Sequence, residues 1–344
     1  MSEAFQQAAF SWATAGMYLL RNDWRLTACA PAKVNLSLEV LARRPDGFHE
    51  LETLMLAVDV CDTLSLEPTP APQITLHCQW ATGLVAARRV YERTGLPVSA
   101  QAWSDLPAAH DNLVWQALHL LQTTAGIRLG ANVILTKRIP AQAGLGGASA
   151  DAAAALLVAN QAWQLHWTTA RLCELAAQLG SDVPFFVTSG AAICRGRGER
   201  IEAIRPPRCW LVIVRPPVGL STPAVFRGCQ PEPNRRATAV VRAALDRGDL
   251  SAAAQGMHNG LQGPAEALSL WIGKLREAFA RTGCIGHQMS GSGSSYFGLF
   301  WHAAQARRAA ARLRGQNIGA VMMAQTAGIS TIGSGHKQAT LVAN

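Results

Sequence analysis

The segment from Pro140, PAQAGLGGASADAAAALLVAN, passes within a few residues from a glycine-rich turn into an alanine-dense run. No other stretch limits the fold so tightly. Gly144, Gly146 and Gly147 give the loop access to positive φ, and the alanines that follow are the strongest of helix formers. Such a loop can turn several backbone N–H groups toward one point. A helix starting near Ser149 adds its own unpaired N–H groups and the positive end of its dipole. Two readings are open from these residues alone. In one the segment is an anion site, most naturally for phosphates. In the other the glycines only make a tight strand-to-helix connection and Ser149 only caps the helix. The loop is neither a Walker loop, since it lacks G-K-[ST], nor a dinucleotide fingerprint, whose spacing is G-x-G-x-x-G.

The surrounding pattern mixes strands and helices without an internal repeat. In VNLSLEVL the residues Val34, Leu36, Leu38 and Val40 share one strand face, while Lys33, Asn35, Ser37 and Glu39 share the other. Further strands are expected at 62–66 and 74–78, with the turn-forming RRPDGFH before them, and helices at 112–124, 149–163 and 168–179, the last stopped by Gly180. The stretch 80–106 reads less clearly and holds one amphipathic helix at 86–93. A second set follows, with strands at 191–195, 210–215, 285–290, 296–301 and 318–325, and helices at 236–246, 249–257, 264–281 and 302–314. The expected fold class is therefore α+β in two halves with a boundary near Gly190.

Composition narrows the function classes. With 344 residues, 49% of them apolar and 15% charged, the chain can bury a large core and is not a disordered protein. Eight cysteines lie far apart with no C-x-x-C pair, a pattern that fits neither a disulfide scaffold nor a zinc site and suits a reducing cytoplasm. The net charge of +9 is dispersed and suits anionic small molecules or nucleic acid without choosing between them. The first sixteen residues have no basic n-region and no unbroken apolar run, so no secretory signal is expected, and no later run approaches the length of a membrane span. The tail from Ser330 has no sustained periodicity and is expected to fray.

Four strings, PAKVNLSLEV, KRIPAQAGLGGASADAA, GSDVPFF and MSGSGSSYFGLF, occur in the order and spacing of the GHMP kinases, the superfamily of galactokinase, homoserine kinase and mevalonate kinase. With PDGFHEL and STPAVF added, the chain resembles, within that superfamily, the family of 4-diphosphocytidyl-2-C-methyl-D-erythritol kinases. The resemblance covers about 26–328. It implies two mixed-sheet domains with helices and an active site in the cleft between them. The divisions are an extra segment at 1–21, an ATP-binding domain at 22–190, a substrate domain at 191–329 and a tail at 330–344. It implies ATP and Mg2+, and phosphorylation of the 2-hydroxyl of 4-diphosphocytidyl-2-C-methyl-D-erythritol in non-mevalonate isoprenoid synthesis. It implies no nucleic-acid or membrane partner, and it names no metal ligands and no oligomeric state.

Carried over by position, the resemblance makes Lys33 and Asp182 catalytic and Asn35 substrate-binding. Phosphoryl transfer needs a group to accept the hydroxyl proton and positive charge near the phosphoryl oxygens, so an aspartate base beside a lysine is sensible chemistry. Taken singly, Asp182 reads as a solvated cap residue and Lys33 as a surface strand lysine. Phe48, His49, Thr222 and Phe226 fall in the cytidine-binding segments, and the two phenylalanines are expected to sandwich a pyrimidine. Asn112, Leu113 and Lys137 match positions that line the nucleotide pocket, and Asn112 equally suits an N-cap. Gly144, Gly146, Gly147 and Ser149 would hold the phosphates. The loop departs from the family form G-L-G-G-G-S-S-[DN]-A, with Ala148 and Ala150 in place of a glycine and a serine and Gln142 where glycine is common. An alanine forced to positive φ would cost about 1 kcal/mol, and losing the second hydroxyl shifts phosphate contact onto Ser149. Two other classes compete. A sister kinase for a small alcohol would not need the Phe48, His49 and Phe226 group. An RNA-binding protein is the second, because the first-half fold is shared with small-subunit ribosomal domains, though no basic stripe with interleaved aromatics is evident.

Overall fold

A computed structural model describes residues 17–22, 24–82, 106–205 and 207–327. The expected helix at 86–93 and the tail at 330–344 lie outside the described residues, as does 1–16. Part of the expected 1–21 extra does not stand apart: β1 (Tyr18–Asn22) is the edge of the first sheet, antiparallel to β2 (Arg25–Arg43).

β3 (His49–Thr69) runs antiparallel to β2 along most of its length, and the turn RRPDGFH joins them. β4 (Ile74–Trp80) runs parallel to β5 (Gly130–Lys137), which pairs with the second half of β3. The first half of β3 pairs instead with β6 (Ala191–Gly196), and β6 with β7 (Arg200–Ala203). β6 was expected to open the second half; its hydrogen bonds to Leu51–Leu56 make it part of the first sheet, and sheet membership changes only after Ala203. The strand β5 was not anticipated either.

Helices α1 (Leu113–Ala125), α2 (Gly147–Ala162), α3 (Thr169–Leu179) and α4 (Val183–Thr188) cover this sheet. α2 is the alanine-dense run, and every residue from Ala150 to Asn160 is buried. It packs on β2 and β3 on one side and on α1, α3 and α4 on the others. Methyl side chains let backbones approach closely all round, so the composition that makes a strong helix also makes a central one.

The second sheet begins with β8 (Trp210–Arg215), followed in the chain by α5 (Thr222–Gly228), α6 (Ala237–Asp246), which packs on β2, and α7 (Leu250–Gln255). A two-residue strand, β9 (His258–Asn259), returns to pair parallel with β2. The expected single helix at 264–281 is two, α8 (Gln262–Leu268) and α9 (Leu270–Ala280). Ser269 breaks it: its backbone is extended and its hydroxyl accepts from the Trp271 N–H, the competition with helix that serine is prone to. β10 (Gly286–Met289), β11 (Tyr296–Phe300), α10 (Ala303–Arg314) and β12 (Ala320–Gln325) complete an antiparallel sheet of order β10-β11-β8-β12.

β2 holds the halves together. Three register shifts, at Pro31/Ala32, Asn35/Ser37 and Val40/Ala42, re-aim its side chains along its length. Ala32, Val34 and Leu36 join Leu211, Ile213 and Phe297 in one apolar cluster, and Leu38 and Val40 join Val212 and Val214 in another. The polar face is buried as well, and each group on it is satisfied. Ser37 bonds Thr238 at 2.8 Å, and Glu39 accepts the N–H groups of Ala237 and Thr238 at 2.9 and 3.0 Å, capping α6 from across the interface. Leaving such buried donors unmet would cost about 1–3 kcal/mol each.

Candidate active site

The glycine loop connects β5 to α2, and three contacts fix it. Leu145 O accepts the Lys33 N–H at 2.9 Å, Gly144 O accepts the Ser290 hydroxyl at 2.9 Å, and Ala143 O accepts the Ser295 N–H at 3.1 Å. Gly144 and Gly146 adopt φ of +71° and +70°, and a Cβ on Gly144 would lie 2.1 Å from Ser290 O. At Gly146 it would lie 3.0 Å from both Lys33 Cγ and Phe186 Cζ. Gly146 is the N-cap, so Ser149 lies inside the first turn of α2 and does not cap it. The Ala150 N–H bonds Gly146 O at 2.9 Å, leaving the N–H groups of Gly147, Ala148 and Ser149 without intrahelical acceptors.

The departures from the family loop resolve differently from expectation. Ala148 is helical, and the positive φ of a non-glycine residue falls on Gln142, at +49°. Ala150 is fully buried in the core cluster and is not among the residues that line the cleft.

Beneath the loop, Lys33 Nζ donates to Asn35 Oδ1 at 2.8 Å and lies 3.6 Å from Asp182 Oδ2. Asn35 Nδ2 donates to Thr53 Oγ1 at 2.8 Å, and that hydroxyl donates to Ser37 O at 2.6 Å. Register places Lys33 and Asn35 on one face of β2, and the chain through Thr53 locks their orientation. Asp182 stands at the N-cap position of α4 but makes no capping bond; its side chain is 34% exposed. It is free to accept from another group.

At the other side of the loop, Asn112 caps α1, its Oδ1 accepting the Val114 N–H at 2.9 Å; Leu113 follows it into the helix. The Lys137 ammonium donates to Asp62 and to Asp151, all three side chains being buried. Burial works to lower the Lys137 pKa, but Asp151 and Asp62 outweigh it and push it up. Burial pushes Asp151 up, with Asp62 adding to the effect and Lys137 opposing it. Asp62 also accepts the N–H groups of Arg138 and Ile139, the latter at 2.8 Å, and so fixes the turn that launches the glycine loop. Sequence reasoning missed Asp62 and Asp151. Asp151 stands inside the quoted loop string; Asp62 carries no local signal.

The far end is aromatic. His49 and Phe226 have ring centroids 5.0 Å apart at 31°. Phe48, 50% exposed, lies under the Arg197 guanidinium, 4.7 Å from its ring centre. The structure thus brings the two phenylalanines to one cleft but gives Phe226 to His49 and Phe48 to Arg197. Burial, with Arg43 assisting, lowers the His49 pKa and keeps its ring neutral near pH 7, and its Nε2 is buried without a partner. Thr222 Oγ1 bonds Ser292 Oγ at 2.8 Å, tying α5 to the late glycine-serine loop.

One cleft of 1040 Å³ connects these parts, and every candidate residue named from the sequence lines it.

Residues 112–190 match the family described as GHMP kinases N terminal domain, and 241–319 match GHMP kinases C terminal. The chain is 40% identical over 293 residues to 4-diphosphocytidyl-2-C-methyl-D-erythritol kinase of Pelotomaculum thermopropionicum, covering 84% of this chain and 94% of that one. The enzyme of that name from Geobacillus thermodenitrificans is 38% identical, over 85% and 93% of the two chains. A crystal structure of 4-(cytidine 5'-diphospho)-2C-methyl-D-erythritol kinase superposes with a TM-score of 0.69 at 34% identity, covering 87% of this chain and 98% of that one. Homoserine kinase from Cytophaga hutchinsonii superposes at 0.64 with 20% identity, covering 90% and 97%, a likeness of fold.

Proposed function

The chain belongs to the 4-diphosphocytidyl-2-C-methyl-D-erythritol kinase family of GHMP kinases, and we propose how its own residues carry that reaction. It is an ATP-dependent kinase that phosphorylates the 2-hydroxyl of 4-diphosphocytidyl-2-C-methyl-D-erythritol. The observation that carries the reading is the 3.6 Å approach of Lys33 Nζ to Asp182 Oδ2 beside the open N-terminus of α2, midway along a cleft with an aromatic far end.

The free N–H groups of Gly147, Ala148 and Ser149 face the ATP phosphates, and the helix dipole favours their charge. Asn112 and Leu113 border the adenosine end. Lys137 serves there through the Asp62–Asp151 cluster that stiffens the loop, since its ammonium is already taken. Asp182 accepts the proton of the attacking hydroxyl, and Lys33 holds that carboxylate and the transferring phosphoryl oxygens in one place. Asn35 orients the acceptor, while Phe48, His49, Thr222 and Phe226 take the cytidine. The portion through Ala203 supplies the ATP end together with Phe48 and His49, and the portion after it supplies the opposite wall of the acceptor end through Thr222 and Phe226.

Magnesium held mainly by phosphate oxygens needs only one or two protein oxygens. The Ser149 hydroxyl in the first turn of α2, without a partner among the described residues, fits that need. When bound, the ion would neutralise negative charge on the ATP phosphates. No described helix is long and apolar enough to cross a membrane. All eight thiols are free, and we place the enzyme in a reducing cytoplasm with a small-molecule substrate and no nucleic-acid partner.

The test is product analysis. Incubation with ATP and the cytidylated alcohol is expected to yield ADP and an ester with one added phosphoryl group on the 2-hydroxyl by phosphorus NMR. Phosphate on another oxygen, or ADP without ester, contradicts the assignment.

A further inference from the structure

We propose that Arg197 reads the diphosphate of the acceptor substrate and is a specificity-determining residue of this kinase. The inference rests on the reading above that the acceptor is a cytidine diphosphate ester. In such a molecule the diphosphate lies between the base and the hydroxyl that reacts. A residue that recognises it must therefore stand between the aromatic end of the cleft and Asp182.

Arg197 stands there. It occupies the tight turn between β6 and β7, which is bordered by Gly196 and Gly198 at φ of +78° and +124°. A Cβ on Gly198 would lie 3.2 Å from Ser181 O, so the turn packs against the residue that precedes Asp182. On its other side the Arg197 guanidinium covers one face of Phe48 at 4.7 Å. The turn thus bridges the reacting end and the base end.

Its charge is also available. Arg44, which lines the same cleft, is committed to Asp46 and Glu50 at 3.1 and 2.7 Å. Arg43 approaches the Arg227 and Cys229 carbonyls at 3.5 Å. The Arg197 guanidinium has no carboxylate within 4.0 Å among the described residues, and Asp46, whose pKa it helps to lower, is already held by Arg44. Glu199, the nearest in sequence, is held by the Arg197 backbone N–H at 2.7 Å. A planar guanidinium with its forked donors unspent, seated on an aromatic ring, is the group best suited to a diphosphate.

The experiment compares cytidine with CDP as ligands of the full-length protein by calorimetry, for wild type, Arg197→Gln and Arg197→Lys. Arg197→Gln is expected to weaken CDP by about 10- to 100-fold and cytidine by less than about 3-fold. Arg197→Lys should recover part of the CDP loss because it restores charge without the fork. ATP affinity should be unchanged in all three, which also reports that each variant is folded. Equal weakening of cytidine and CDP would mean that Arg197 acts only by supporting Phe48, and an unaltered CDP affinity would mean that it does not touch the diphosphate. Either result overturns the proposal while leaving the substrate reading intact. Wild-type protein that binds neither ligand would overturn both.

Discussion

The two ends of the cleft are built on opposite plans. At the glycine-loop end the cleft is lined by backbone N–H groups at the start of α2, a Cβ on Gly144 or Gly146 would come within 2.1 or 3.0 Å of its neighbours, and Lys33, Asn35 and Thr53 form a buried, fully bonded chain. At the base end the groups are side chains on a hairpin turn and on a short helix, with Phe48 half exposed and Thr222 on the surface. The contrast follows from what each end must do. Charge that develops during phosphoryl transfer is stabilised best by dipoles that need not move. Recognition of a base only has to supply binding energy, and aromatic faces do that with looser geometry.

If the division is right, changes at the two ends separate kinetically. The largest effect belongs to Asp182→Asn, expected to lower kcat by about 10²- to 10⁴-fold with both KM values little changed. Steady-state kinetics on the folded variant checks it, and near-normal turnover would remove Asp182 from the chemistry. Gly146→Val comes next, because a branched side chain there meets Lys33 Cγ and Phe186 Cζ and cannot hold φ of +70°. ATP affinity should fall by about 10- to 100-fold while CDP affinity holds, read by calorimetry. Phe226→Ala should raise KM for the cytidylated substrate by about 1–3 kcal/mol in binding terms, with a smaller loss of kcat from poorer orientation. A pure kcat effect would erase the distinction between the ends. The smallest change sharpens it: Gln142→Gly relieves a positive φ and should raise stability by up to about 1 kcal/mol in urea unfolding, with turnover unaltered.

The same contrast decides what could be read from sequence. The phosphate loop was legible because its chemistry is local: consecutive glycines, then alanines, dictate both the turn and the helix. Lys33 and Asn35 were legible because strand alternation puts them on one face. The pairing of Phe226 with His49 and of Phe48 with Arg197 was not, since it depends on how a hairpin and a distant helix dock. Asp62 was invisible because its role comes from Lys137, 75 positions away. Glu39 caps a helix 198 positions on. The sheet that β6 joins escaped because a run of four apolar residues, Ala191 to Cys194, declares a strand without declaring which sheet will take it. The break at Ser269 was overlooked because helical periodicity continues through it and only the hydroxyl's local bond decides.

The most direct test of the account is to offer the wild-type enzyme ATP with three acceptors side by side: the cytidylated methylerythritol, its phosphate lacking cytidine, and homoserine. The account predicts that kcat/KM for the cytidylated alcohol exceeds both others by at least the loss produced by Phe226→Ala, because the base end supplies that binding energy. Equal or better turnover of either smaller alcohol would contradict it, and would leave a GHMP kinase whose aromatic end serves another ligand.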